Sequence, residues 1–295
     1  MATASHIDSS AGIKPNALSA LKSPNFRLYF AGQLVSISGT WMQNVAQGFL
    51  VFSLTRSELW LGVVACVAGL PMVLMSPIAG VIVERVPRRN LIIATQIVQM
   101  CLAFILAALT ATEMVQVWHI VVLAFMLGVT NALDMPARQV FIIEMVGRED
   151  LHSGITLNSI LNSAARVLGP TMAGIALVLF GAAWCFFING ATFLAVILSL
   201  FIMKVPHAIE YVKKSSPFNQ LKEGISFARH DELVAPLILL ATVVGFFVIP
   251  IIQLMPAFAD VVLNSPKEGY AAISTAQGIG SVFAGVAVGW AVYRL

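Results

Sequence analysis

Gly80-Val81-Ile82-Val83-Glu84-Arg85-Val86-Pro87-Arg88-Arg89 sets four charges on a tight turn between two long uncharged runs, residues 59–83 and 90–112. Each run exceeds the ~20 residues that a helix needs to cross a ~30 Å hydrocarbon core. A soluble protein has no use for charges placed this way. A membrane transporter that must hold one face closed does. The cluster therefore indicates a gate, where hydrophobicity alone would indicate only a location.

Working outward, the same pattern recurs along the chain. It is 59% hydrophobic and 11% charged, with a mean hydropathy of +0.89, against roughly a quarter charged residues in soluble domains. The apolar residues come in bilayer-length runs, which excludes a β-barrel built from alternating segments of about ten. An all-α polytopic membrane protein is the class that fits. Eight spans are predicted, near 26–54, 59–83, 90–112, 117–137, 155–180, 184–203, 233–258 and 269–293. Ser23-Pro24 reads as an N-cap followed by proline at the first helical position.

These spans divide the chain into four parts. Residues 1–22 form a polar tail with no signal-peptide pattern, and residues 23–203 a six-helix bundle. Residues 204–232 form a long connection, in which Ser216-Pro217 opens a surface helix with Phe218, Leu221 and Ile225 on one face. Residues 233–295 supply two helices of a second bundle. Of the 17 Lys and Arg, all but Arg56, Lys267 and Arg166 fall on the side of the N-terminus. The positive-inside rule then places both termini in the cytoplasm of a cell-membrane protein. Two bundles joined by a basic connection suit a transporter that rocks its halves around a central site.

Several function classes drop out. A net charge of +3, dispersed among membrane turns, offers no nucleic-acid surface. Cys66, Cys101 and Cys185 have no metal-ligand or disulfide spacing. There is no phosphate-binding loop and no Gly-x-Ser-x-Gly elbow. No enzyme, metal or cofactor is expected; the expected partners are the lipid bilayer and a small-molecule substrate.

Two helices carry the polar groups that could meet that substrate. In the first span Gln33, Ser36, Thr40, Asn44 and Gln47 share a face, with Trp41 and Gln43 beside it. Lipid cannot hydrogen-bond such groups, so this face is expected to turn into the bundle or a wet cavity; interhelical polar glue is the plainer alternative. In the fifth span Asn158, Asn162 and Arg166 are spaced four apart. A mid-membrane arginine costs ~2.5–3.5 kcal/mol even on insertion scales, so an acid, carbonyls or cavity water must offset it. Gly169, Pro170 and Gly174 follow, allowing close packing and a bend, the makings of a hinge. Asp134, Glu144 and Asp260 lie toward the predicted span ends. Asp134 with Arg138 reads as an ion pair rather than a proton site.

On these residues the chain resembles the major facilitator superfamily, in the exporter branch of enterobactin and macrolide efflux proteins. The superfamily loop between helices 2 and 3, Gly-x-x-x-Asp-Arg-x-Gly-Arg-Arg, is matched by Gly80, Glu84 in place of aspartate, Arg85, Pro87 in place of glycine, Arg88 and Arg89. The resemblance implies that these residues form a cytoplasmic latch with an acid at the end of helix 4, where Asp134 stands, and with Arg138 in the same Asp134-Met135-Pro136-Ala137-Arg138 element. Asn25-Phe26-Arg27-Leu28-Tyr29-Phe30 and Gly169-Pro170-x-x-Ala173-Gly174 are similar to further exporter and antiporter elements. The resemblance implies a proton-coupled exporter of amphipathic drugs or siderophores working by alternating access.

The family has twelve helices, and eight are predicted here. Gly289-Trp290-Ala291-Val292-Tyr293-Arg294 partly echoes the opening loop, as if at the second bundle's copy of the latch. A C-terminally truncated, non-transporting remnant, or a subunit whose missing C-terminal half is a separate chain, is therefore the second expectation.

Overall fold

The computed structural model describes residues 19–147, 149–203, 234–237, 239–240, 243, 254–266, 268–270, 272–280 and 283. A 3-10 turn, Ser19–Lys22, leads into α1 (Pro24–Thr55), α2 (Glu58–Arg85), α3 (Arg88–Ala111), α4 (Val117–Val146), α5 (Leu151–Leu179) and α6 (Ala182–Ile202), and a short α7 (Met255–Val261) follows. Residues 272–280 are also helical. The surface helix expected near 217–225, most of the seventh span and the Gly289–Arg294 echo lie outside the described residues.

Among the described residues five stretches are long and apolar enough to cross a membrane: Glu58–Ser76 of α2 and the whole of α3, α4, α5 and α6. At 32 residues, α1 is long enough too, about 48 Å at 1.5 Å per residue. Its polar residues from Gln33 to Gln47 keep it out of that set. It packs on α2, α4, α5 and α6, so a helix too polar for lipid is covered on several sides by protein. The chain is an all-α membrane protein, with its first six helices in one bundle.

Local sequence sets the helix ends much as expected. Ser23 caps α1, its Oγ accepting from the Phe26 N–H at 3.4 Å, with Pro24 in the first turn. The difference lies in α4, which runs past its predicted end at Ala137 to Val146. Arg138 and Glu144 pair with groups inside the bundle, so their charges do not stop the helix. Asp134 consequently sits three turns inside α4 rather than near its end.

The interior is layered. One apolar cluster, near the basic loops, gathers Phe26, Tyr29, Ile92, Phe141, Leu157 and Leu200. Another, toward the opposite end, gathers Met42, Leu50, Leu106, Ile120, Leu177 and Phe186. Between them lies a buried polar belt with Gln33, Ser36, Thr95, Gln96, Gln99, Thr130, Asp134, Asn189 and Thr192. Buried polar groups are costly unless bonded to one another, so the belt fixes which helices may be neighbours. Close approach helps it form. A Cβ on Gly39 would lie 2.6 Å from Thr192 Oγ1 and 2.7 Å from Asn189 Oδ1, so only glycine lets α1 and α6 meet there.

Candidate functional site

The belt's centre is the seam between α3 and α4. Asp134 Oδ1 accepts from Thr95 Oγ1 at 2.6 Å and from Gln96 Nε2 at 3.2 Å. Its Oδ2 pairs with Arg138 Nε at 2.5 Å, one helical turn on. Arg138 also donates from Nη1 to Gln33 Oε1 of α1 and bonds the side chain of Tyr29. Arginine can only donate and a carboxylate only accept. Gln33 must therefore present its oxygen to Arg138, and Gln96 its N–H to Asp134. Further along, Gln99 Nε2 donates to Asn131 Oδ1 at 3.2 Å. The seam is antiparallel and ties three helices together.

At the basic end the loop cluster splits. Arg88 Nη1 stands 3.2 Å from Glu144 Oε1, both side chains about nine-tenths buried. Arg89 Nη2 donates to the Phe201 carbonyl at 3.1 Å, supplying a partner for the last turn of α6, whose carbonyls lack helical donors. Glu84 and Arg85, in the last turn of α2, are exposed and make no ion pair among the described residues. Gly80 is exposed, with no described atom within 4 Å of an added Cβ. The acid that meets the loop is thus Glu144 and not Asp134, whose oxygens are taken by Thr95, Gln96 and Arg138.

The candidate substrate-path residues divide between the two settings. Gln33 and Ser36 are buried in the belt, while Thr40 and Gln47 are half-buried and Asn44 is exposed. On α5, Asn158 and Asn162 are half-buried, and Arg166, midway along the helix, is exposed. Thr40 and Asn162 bond only their own helix, to the carbonyls of Ser36 and Asn158.

The two helices cross closely here. A Cβ on Gly169 would lie 2.7 Å from the Ser38 carbonyl oxygen and 3.0 Å from the Met42 nitrogen. One turn before this crossing, the Arg166 guanidinium lies 5.3 Å from the centre of the Trp41 ring. Neither an acid nor a carbonyl offsets its charge among the described residues; an aromatic face does. Pro170 stays within a continuous α5 and, having no N–H, leaves the Arg166 carbonyl without its helical donor. Gly174, buried, faces an apolar cleft of about 710 Å³ between α5 and residues 268–279.

Sequence reasoning passed over Thr95, Gln96, Gln99, Asn131 and Asn189. Asn189 Nδ2 donates to Gln43 Oε1 at 2.8 Å, which turns Gln43 toward α6 and away from the open face. A signal existed. Thr95, Gln96 and Gln99 fall on one face of α3, and Asn131, Asp134 and Arg138 on one face of α4, so two amphipathic stripes in apolar helices mark a polar seam. Among the described residues no cluster of His, Cys, Asp and Glu could hold a metal ion.

Comparison with known proteins gives one family throughout. The staphyloferrin A transporter of Staphylococcus aureus is 23% identical over 88% of this chain and 65% of its own length. Macrolide efflux protein A of Streptococcus pyogenes is 22% identical over 78% of the chain and 58% of its own. The enterobactin exporter of Shigella flexneri is 25% identical over 91% and 64%. The chain thus spans about half to two thirds of the length of the curated relatives it matches. No solved structure matches it. The model of the transmembrane secretion effector family, a major facilitator family of transport proteins and not of enzymes, matches residues 15–292, and the chain belongs to that family.

Proposed function

We propose that this chain is part of a secondary transporter that exports amphipathic small molecules, of drug or siderophore type, by alternating access driven by a proton gradient. The observation that carries the reading is the pair of polar faces on α1 and α5. They lie side by side at a close crossing midway along α5, with Asn44 and Arg166 open and without hydrogen bonds across helices among the described residues. Polar groups at that depth are costly unless water or a ligand meets them. Relatives named for a siderophore or a macrolide agree with such a cargo.

In this reading Thr40, Asn44, Gln47, Asn158, Asn162 and Arg166 line the path, and Gln33 anchors its floor through Arg138. The basic end faces the cytoplasm and acts as the gate. Arg88 with Glu144 and Arg89 with Phe201 hold it in the present conformation, and Glu84 and Arg85 are free to engage another. Gly169, Pro170 and Gly174 let α5 tilt against α1 as the second bundle, from residue 233 on, rocks over the first.

The test is efflux from cells or reconstituted vesicles by the protein, with and without an uncoupler that collapses the proton gradient. Arg166→Ala should lower the rate for at least one substrate in a drug and siderophore panel. Arg88→Ala should change the rate for all of them. Normal expression with wild-type rates and range in both variants would overturn the assignment, and insensitivity to the uncoupler would overturn the coupling.

A further inference from the structure

We propose that the open α1–α5 face selects anionic cargo, with Arg166 as the receptor for an acidic group. The inference rests on the transport reading and narrows it. Arg166 sits midway along α5 with its guanidinium over the Trp41 ring at 5.3 Å. That contact steadies the charge but uses none of the five N–H donors. Those donors make no hydrogen bond or ion pair among the described residues, and the side chain is exposed. A structural arginine would spend them on carbonyls or an acid, as Arg89 does on Phe201 and Arg138 on Asp134. Arg166 keeps them.

The distribution of acids makes the face one-sided. The chain has 14 Asp and Glu, and α1, α3, α5 and α6 contain none. Asp134 and Glu144 of α4 and Asp260 of α7 are each paired with an arginine: Arg138, Arg88 and Arg56. Glu58 and Glu84 stand at the two ends of α2. Glu113, Glu149 and Asp150 lie between helices, and Asp8, Glu210, Glu223, Asp231 and Glu232 fall in the polar tail and the long connection. Glu268 accepts from Ser265 at a helix start. Among the described residues no carboxylate is left to balance Arg166.

Its neighbours on the face are neutral. Thr40, Asn44, Gln47, Asn158 and Asn162 can donate or accept and so do not discriminate by charge. The guanidinium alone sets the sign. Its planar fork suits a carboxylate or another flat oxyanion held by two parallel bonds, and Trp41 beside it offers an apolar wall for the ring or chain that carries the acid. A cation would meet like charge in a poorly screened setting. Charge therefore separates the cargoes that the relatives' names leave side by side.

The experiment uses two dyes on one xanthene ring system, anionic carboxyfluorescein and cationic rhodamine 6G. Binding to the purified protein in detergent is read by fluorescence anisotropy. Carboxyfluorescein should bind roughly tenfold or more tightly than rhodamine 6G, the effect of one charge-assisted hydrogen-bonded contact. Arg166→Gln should erase the difference, Arg166→Glu should reverse it and Arg166→Lys should keep most of it. Equal affinities, no binding of either dye, a preference for rhodamine 6G, or a preference unmoved by Arg166→Glu would overturn the inference. The same dyes loaded into vesicles separate the two claims. Charge-selective binding without movement sinks the transport reading and leaves this one standing. Movement of rhodamine 6G at or above the rate of carboxyfluorescein sinks this one and leaves transport intact.

Discussion

The α3–α4 seam and the α1–α5 face use similar side chains at similar depth, and they differ in what those side chains do. In the seam, Asp134, Arg138, Thr95, Gln96 and Gln33 bond across helices, and all but the half-buried Arg138 are shut away from solvent. On the face, Thr40 and Asn162 bond their own backbone, and Asn44 and Arg166 make no hydrogen bond or ion pair across the gap among the described residues. A polar cluster bonded across helices holds them in place. An unsaturated one at that depth waits for a partner. Polarity in a membrane helix therefore gives no role until the bonds have been counted.

The largest test of the contrast is Asp134→Ala. It takes the paired acid from the half-buried Arg138 guanidinium, leaving it Gln33, and breaking a buried pair costs about 3–5 kcal/mol; unfolding of the purified protein in detergent should show a loss toward the lower end of that range. A neutral result would mean that the seam is not structural. Gly169→Leu comes next. The new side chain starts 2.7 Å from the Ser38 carbonyl, and such overpacking costs about 1–3 kcal/mol, with slower disulfide cross-linking between cysteines placed on α1 and α5.

The Arg88–Glu144 pair, about nine-tenths buried at the basic end of the bundle, tests the boundary between the two behaviours. A double-mutant cycle with Arg88→Ala and Glu144→Ala should return a coupling of about 1–2 kcal/mol. A coupling near zero would place the pair with exposed bridges. The smallest effect belongs to Asn162→Ala. Stability should move by less than about 0.5 kcal/mol, while substrate affinity drops measurably in a binding titration. If Asn162→Ala destabilised the protein as much as Asp134→Ala, the distinction between seam and face would collapse.

Much of this was legible from residues alone. Span length, the charge cluster at Glu84–Arg89 and the Ser23-Pro24 start are local signals, and α1 to α6 follow them within a few residues except at the C-terminal end of α4. The face on α5 was visible because Asn158, Asn162 and Arg166 repeat at helical spacing in an apolar run. Which acid meets which arginine was not visible. Glu144 and Arg88 are joined by helix packing, and no local pattern distinguishes Glu144 from Asp134 as a partner. The length of α4 was missed for the same reason, since a charge ends a membrane span only when nothing inside the bundle neutralises it. Gln43 looked like part of the open face and is turned instead by Asn189, a residue far away in the chain.

The contact between Arg56 and Asp260 joins the far end of α1 to α7 at the pole opposite the basic loops. Arg56 is two-thirds exposed there, and an ion pair open to solvent contributes about 0–1 kcal/mol. Such a clasp changes the ratio of joined to parted forms about fivefold at most. Dissolved ions reach it, so brine on that side of the bilayer weakens it where dilute medium tightens it. Ala257 and Ala259 of α7 are also buried with Leu50, Val51 and Phe52 of α1, so apolar packing holds the two segments together and the ionic strength of the surroundings adjusts only the small increment that the ion pair adds.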